Sequence, residues 1–294
     1  MVNIDPSAPI GRTEPSRVVT CDIAYQVSEP SALILQVVAS TSAGHVAESR
    51  FEILVDRQPP SSVVEVQGAE GTTMHIVGAD PGRLTVSYRA RLVVAPARAR
   101  LPQADRTEGT RQYSDYESQV YLRPSRYCPS DHLVGFAVAE FGTGPETGSR
   151  IAAITGWIRQ RIEYVPGSST VHDSAEDTLL TGMGTCRDFA HLGIALCRAT
   201  GIPARFVAVY APGLSPMEFH AVFEAREDGR WWVHDSTGLA PRASLVRIAT
   251  GRDAADAAFA DVISGSAELE SLEVTATAEP FVAADDGIPP VELP

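Results

Sequence analysis

The chain has 294 residues, 44% of them hydrophobic and 21% charged, values ordinary for soluble globular proteins and incompatible with wholesale disorder. Its formal net charge is -13, which repels nucleic-acid phosphates and anionic lipid, and no run of basic residues offsets it. Neither nucleic acid nor a membrane is an expected partner.

The length suffices for two domains of ordinary size, each able to bury a core without disulfides or metals. The first residues, Met1-Val-Asn-Ile-Asp-Pro-Ser7, carry neither the basic nor the apolar region of a secretory signal, and the expected location is the cytoplasm. Cysteines at 21, 128, 186 and 197 show no CxxC pair, which fits reduced thiols better than a disulfide framework. All 24 basic residues are arginine. Base composition explains that plainly; an enzyme joining glutamine to lysine would also gain protection from itself.

From residue 17 to 95, short apolar and β-branched runs alternate with turn residues: 17–25, 32–38, 51–55, 63–66, 74–77 and 84–94. Spaced strands of this kind predict an antiparallel β-sandwich or meander. Pro96 to Gln112, rich in Ala, Arg and Pro, reads as a linker. Helical periods follow at Asp131–Phe141 and Thr147–Tyr164, the second with Ile151, Ile154, Ile158 and Ile162 on one face. Ser174-Ala-Glu-Asp177 is a capping box opening a helix over 175–180. A longer helix is expected over Thr185–Thr200, with Phe189, Leu192, Leu196 and Cys197 inward and Gly201 ending it. Strands are expected at Ala204–Tyr210, Phe219–Arg226 and Arg230–Asp235, the last two joined by an Asp228-Gly229 turn. A short helix at Asp253–Phe259, a strand at Leu269–Thr277 and a loose tail complete the reading.

The chemistry concentrates in Gly182-Met-Gly-Thr-Cys186. Two glycines permit a tight turn that delivers Cys186 to the first turn of the long helix, where unpaired backbone N–H groups favour a thiolate. Phe219-His220-Ala supplies a histidine within a strand. If Asp228-Gly229 is a two-residue turn, Glu227 pairs with Arg230, and Asp235 becomes the diagonal neighbour of His220 on one sheet face. An odd-length loop would bring His234 to that face instead. Cys186 as nucleophile, His220 as base and Asp235 as orienter then follow the logic of a histidine-activated thiol, with the Cys186 N–H as one oxyanion donor. Tyr164 and Trp231 are candidates for the second.

The run Gly184-Thr-Cys186-Arg-Asp-Phe-Ala-His-Leu-Gly-Ile-Ala-Leu-Cys-Arg-Ala-Thr-Gly-Ile-Pro-Ala-Arg205, then Phe219-His220-Ala, then Trp232-Val-His-Asp235, resembles the core of the bacterial transglutaminase-like superfamily over roughly residues 120 to 265. The resemblance implies an α+β fold: a papain-like transglutaminase core, with a Cys-bearing helix packed on an antiparallel sheet, preceded by an all-β sandwich-like domain. It implies a Cys186, His220, Asp235 triad, no cofactor and no need for calcium. The expected division is a β-rich N-terminal domain over 1–112, a catalytic domain over 113–275 and a tail over 276–294. The expected substrate is a peptide or protein amide, and the β-rich domain is the expected surface for a protein partner.

The same residues have plainer readings. Cys186, His191, His220 and Asp235 are metal-ligand types without paired close spacing, so no metal is expected. Cys197 reads as a small buried hydrophobe, Trp231-Trp232 as hairpin packing and His172-Asp173 as a solvated loop. Arg187 and Asp188 are expected to stabilise the first helical turn. The expected reaction is acyl transfer through a thioester, with water as the acceptor. A protein-glutamine acyltransferase and a binding module without turnover are the alternatives.

Overall fold

A computed structural model of the chain describes residues 14–94, 115–144, 146–283, 285, 287 and 290–294. The expected linker over Pro96–Gln112 lies outside the described residues. The first sheet is built on β1 (Ser16–Leu35), where two expected runs join into one strand of 20 residues. The interruption between them is absorbed by register shifts against β12 (Ala260–Glu279), the bulges that bend a strand without ending it. Before the bend β1 pairs with β5 (Gly82–Val93), and beyond it with β4 (Thr73–Ala79). β2 (His45–Val55) extends the β5 side and β3 (Ser62–Gln67) the β4 side, all antiparallel. The sheet therefore curls, burying Val19, Ile23, Leu33, Leu35, Leu84 and Leu92.

The final strand is longer than the expected 269–277, and it runs along the whole of β1. Residues 260–275 thus join the β-rich sheet rather than the core assigned to 113–275. The pairing spans more than two hundred residues and leaves no local pattern to read.

The second sheet has the order β10–β9–β8–β11, from β8 (Ala204–Tyr210), β9 (Phe219–Glu227), β10 (Arg230–His234) and β11 (Val246–Gly251). Its helical partner is α5 (Cys186–Ala199), which packs on β8 and β9. Phe189, Leu192, Leu196 and Cys197 are buried as the period requires, each large apolar side chain contributing about 1.5–3 kcal/mol. Gly193 lets the helix approach the sheet closely, since a Cβ there would lie 2.5 Å from the Phe223 ring. The other faces of α5 are covered by α2 (Val134–Phe141), α3 (Thr147–Arg161) and α4 (Ala175–Thr181). Two short helices, α1 (Tyr116–Val120) and α6 (Ala254–Ala257), complete the core, the first without a sequence signal strong enough to read.

Three boundaries move. The helix expected from Asp131 begins at Val134. The helix expected to reach Tyr164 stops at Arg161, because Glu163–Tyr164 forms a short strand, β6, parallel to β7 (Met183–Gly184). The described tail is held rather than loose: the Val233 N–H donates to the Val291 carbonyl at 2.9 Å, and Leu293 is buried. Arg230 and Arg242 add ion pairs to Glu292 and Asp285. Among the described residues no helix is long and apolar enough to cross a membrane.

The two sheets are joined by polar groups that neither satisfies alone. Arg17 donates to the carbonyls of Ser244 and Ala243, each at 3.1 Å, and the Tyr210 hydroxyl donates to the Val37 carbonyl at 2.6 Å. Below them Glu224 is sealed between Arg205 and Arg247, with contacts of 2.7 Å to each. Burial alone would raise the Glu224 pKa, but the two guanidiniums hold it near 2.

Candidate active site

The Gly182–Thr185 turn does what its glycines imply. Gly182 ends α4 in the left-handed region at φ 70°, and the Gly184 N-terminal approach feeds directly into α5. Thr185 caps that helix through a box with Asp188: the Thr185 N–H and hydroxyl donate to one Asp188 carboxylate oxygen at 2.8 and 2.9 Å. Cys186 is therefore the first helical residue, half-buried, where the backbone N–H groups lack helical acceptors. Arg187 braces the neighbouring loop by donating to Ser169 at 2.7 Å, to the Thr170 carbonyl and to Asp188 at 3.1 Å.

The hairpin register fixes the other two residues. Asp228 and Gly229 both have positive φ, 51° and 76°, and Glu227 faces Arg230. His234 consequently lies opposite Phe223, on the side facing α5, where its ring stacks on Phe223 at 5.3 Å. Asp235 falls on the His220 side. His220 Nε2 and Asp235 Oδ2 are 3.0 Å apart, and both side chains are sealed from solvent. The second Asp235 oxygen accepts from the Thr237 N–H at 2.9 Å and hydroxyl at 2.6 Å, while Arg159 donates to the Asp235 carbonyl at 3.0 Å.

Burial disfavours a charged imidazole, but the Asp235 carboxylate and its hydrogen bond outweigh it, and Cys186 adds to them; the His220 pKa is raised to about 10. Burial likewise would raise Asp235, yet His220 and Thr237 hold it below the usual carboxylate range. With Nε2 committed to Asp235, Nδ1 is the nitrogen left for the thiol. The imidazole and carboxylate are in direct contact, and the Cys186 thiol lies near enough to His220 to help raise its pKa.

The remaining candidates go elsewhere. Cys21, Cys128 and Cys197 are fully buried, and burial pushes their thiols up to about 11, 12 and 12. His191 is buried against Tyr127, where its Nε2 accepts from the Ala254 N–H at 3.1 Å. Trp231 is covered by the Arg205 guanidinium at 4.2 Å and by Tyr121. Two groups that sequence reasoning passed over hold the orienter: Thr237, whose spacing of two from Asp235 is a local-turn signal, and Arg159, which has none. Tyr164 lies opposite Gly184 in the β6–β7 pairing, against the turn that leads into Cys186.

Comparison with known proteins places this geometry in a wider set. A family model of the transglutaminase-like superfamily matches residues 137–236, which span Cys186, His220 and Asp235. An uncharacterised protein of Mycobacterium leprae is 30% identical over 145 residues, 47% of this chain and 52% of that protein. One of Mycobacterium tuberculosis is 30% identical over 135 residues, 40% of this chain and 43% of that protein. The chain spans about half the length of the curated relatives it matches. The likeness to a candidate cysteine protease of Cytophaga hutchinsonii runs the full length: 33% identity, a TM-score of 0.81, 96% of this chain and 98% of that one. Related in sequence along nearly all of a solved structure, and carrying the core motifs in order, the chain belongs to the transglutaminase-like superfamily.

Proposed function

We propose that the protein is a cysteine-nucleophile hydrolase of peptide or protein amides. One observation carries the reading: of four cysteines only Cys186 reaches the surface, and it does so at the N-terminus of a 14-residue helix beside the buried His220–Asp235 pair. In the reaction the Cys186 sulfur, its proton held on His220 Nδ1, bonds to the amide carbonyl carbon. The C–N bond then breaks, the amine leaves with the proton from His220, and a thioester remains on Cys186. Water gives its proton to His220 and attacks the thioester, releasing the carboxylic acid and returning Cys186 and the protonated His220 to their starting state. Asp235 holds the Nε2 proton throughout and stabilises the imidazolium. Water is the acceptor because the sulfur stands at a partly open surface, and diverting the acyl group to an amine requires a dry acceptor passage.

The test follows carboxamide peptides by mass spectrometry, with and without a primary amine. Release of free acid that disappears in Cys186→Ala supports the reading. Amine incorporation dominating at modest amine concentration would replace it by a transferase, and release that survives Cys186→Ala would remove it.

A further inference from the structure

The hydrolytic reading leaves one feature of the site without an owner. Attack on a carbonyl creates an oxyanion, and a single backbone donor at Cys186 leaves its second lone pair unserved. We propose that the phenolic hydroxyl of Tyr164 is the second donor to that oxyanion, acting with the Cys186 N–H.

The placement is set by backbone first. β6 and β7 pair in parallel, with the Glu163 N–H on the Gly182 carbonyl at 2.8 Å and the Val165 N–H on the Gly184 carbonyl at 3.0 Å. These two bonds fix Tyr164 against the turn that delivers Cys186. The ring then lies 5.9 Å from that of Phe189, a buried residue three positions along α5. With the ring body packed there, the Tyr164 hydroxyl lies close enough to Cys186 for the thiol and the helix N-terminus to act on its titration.

Chemistry completes the case. A phenol hydroxyl is a donor free to turn about its C–O bond and direct its hydrogen at an incoming acceptor. A carbonyl oxygen arriving at the Cys186 N–H comes within reach of the Tyr164 hydroxyl, which donates to the same oxygen. Burial, then the charges of Cys186, Glu218 and Asp235, push the Tyr164 phenol up to about 12, so it keeps its proton at any ordinary pH. The neighbours of Cys186 in the chain are committed, Thr185 to Asp188 and Arg187 to Ser169 and Asp188, and the Trp231 indole is held elsewhere under Arg205.

The inference rests on the acyl-transfer reading, and its test separates the two. Acylation of Cys186 by p-nitrophenyl acetate passes through an oxyanion, whereas alkylation by iodoacetamide does not. Tyr164→Phe keeps the ring packed on Phe189. The expected result is acylation slowed by about a hundredfold or more, with alkylation within about twofold of the unmodified protein and an unchanged thermal midpoint. Equal acylation in both proteins overturns the inference, and so does a parallel fall in both reactions, which would mean a structural role. A wild-type protein that is alkylated at Cys186 but never acylated removes the acyl-transfer reading itself, and the inference with it, without reference to Tyr164.

Discussion

The imidazole of His220 and the carboxylate of Asp235 meet at 3.0 Å with both side chains sealed from solvent, and the pair behaves as one unit. Asp235 determines which imidazole nitrogen carries the proton. An amide at 235 occupies the same space but presents a donor or a weaker acceptor, and the tautomer with Nδ1 free for the thiol is lost. Asp235→Asn should therefore lower kcat by about ten-thousand-fold with little change in secondary structure. A loss below about tenfold, measured on the hydrolysis of a carboxamide peptide, contradicts the orienting role.

The same pair carries a pH signature. His220 in the folded protein has its pKa raised to about 10, well above that of a free histidine near 6.5. The folded state therefore holds a proton that the unfolded state has released, and the stabilisation is complete below about pH 6.5 and lost as pH rises towards 10. His191 and His234, whose pKa values burial depresses to about 3, are common to wild type and variant and cancel in the difference. In urea unfolding, the advantage of wild type over His220→Gln should shrink steadily from pH 6.5 to 9.5. A constant difference across that range would mean that the imidazole is not held charged.

Glu224 lies on β9 four residues from His220 and is the carboxylate between two buried guanidiniums, Arg205 and Arg247. Arg205 finds further partners in Glu70 and Glu117, but for Arg247 the charge partner is Glu224. Replacing it with glutamine keeps the volume and leaves a buried cation uncompensated, and Glu224→Gln should cost about 3–5 kcal/mol in chemical denaturation. A cost under about 1 kcal/mol would show that water or a rearranged side chain reaches Arg247.

How much of this was legible varies with distance along the chain. The β9–β10 register was readable because Asp228-Gly229 is a strong turn signal and because one residue of slip would have reversed every side chain. The position of Cys186 was readable from two glycines before an amphipathic run, and the support expected of Asp188 takes the form of a capping box with Thr185. The β12–β1 pairing was not, since residues more than two hundred apart share no local pattern. Nor was β6, a two-residue strand whose pairing with β7 is smaller than any periodicity can register. The tail shows the limit most plainly: its prolines suggest a loose end, while Asp285 and Glu292 find Arg242 and Arg230 only in the folded chain.

The distance between thiol and imidazole depends in the end on how closely α5 rests on β9, and Gly193 governs that approach. A Cβ at this position would lie 2.5 Å from Phe223 Cε1 and 2.9 Å from two further ring atoms. Phe223 is fully buried and stacked on His234, so the ring has no room to retreat. Gly193→Ala gains helix propensity of about 1 kcal/mol, but the clash dominates, and a net loss of about 1–3 kcal/mol is expected. The helix must lift or tilt, carrying Cys186 away from a histidine that stays on its strand. Amide hydrolysis should fall by about a hundredfold, while iodoacetamide still reaches the half-exposed sulfur. A variant as stable and as active as wild type would show that the helix–sheet contact does not set the geometry of the site.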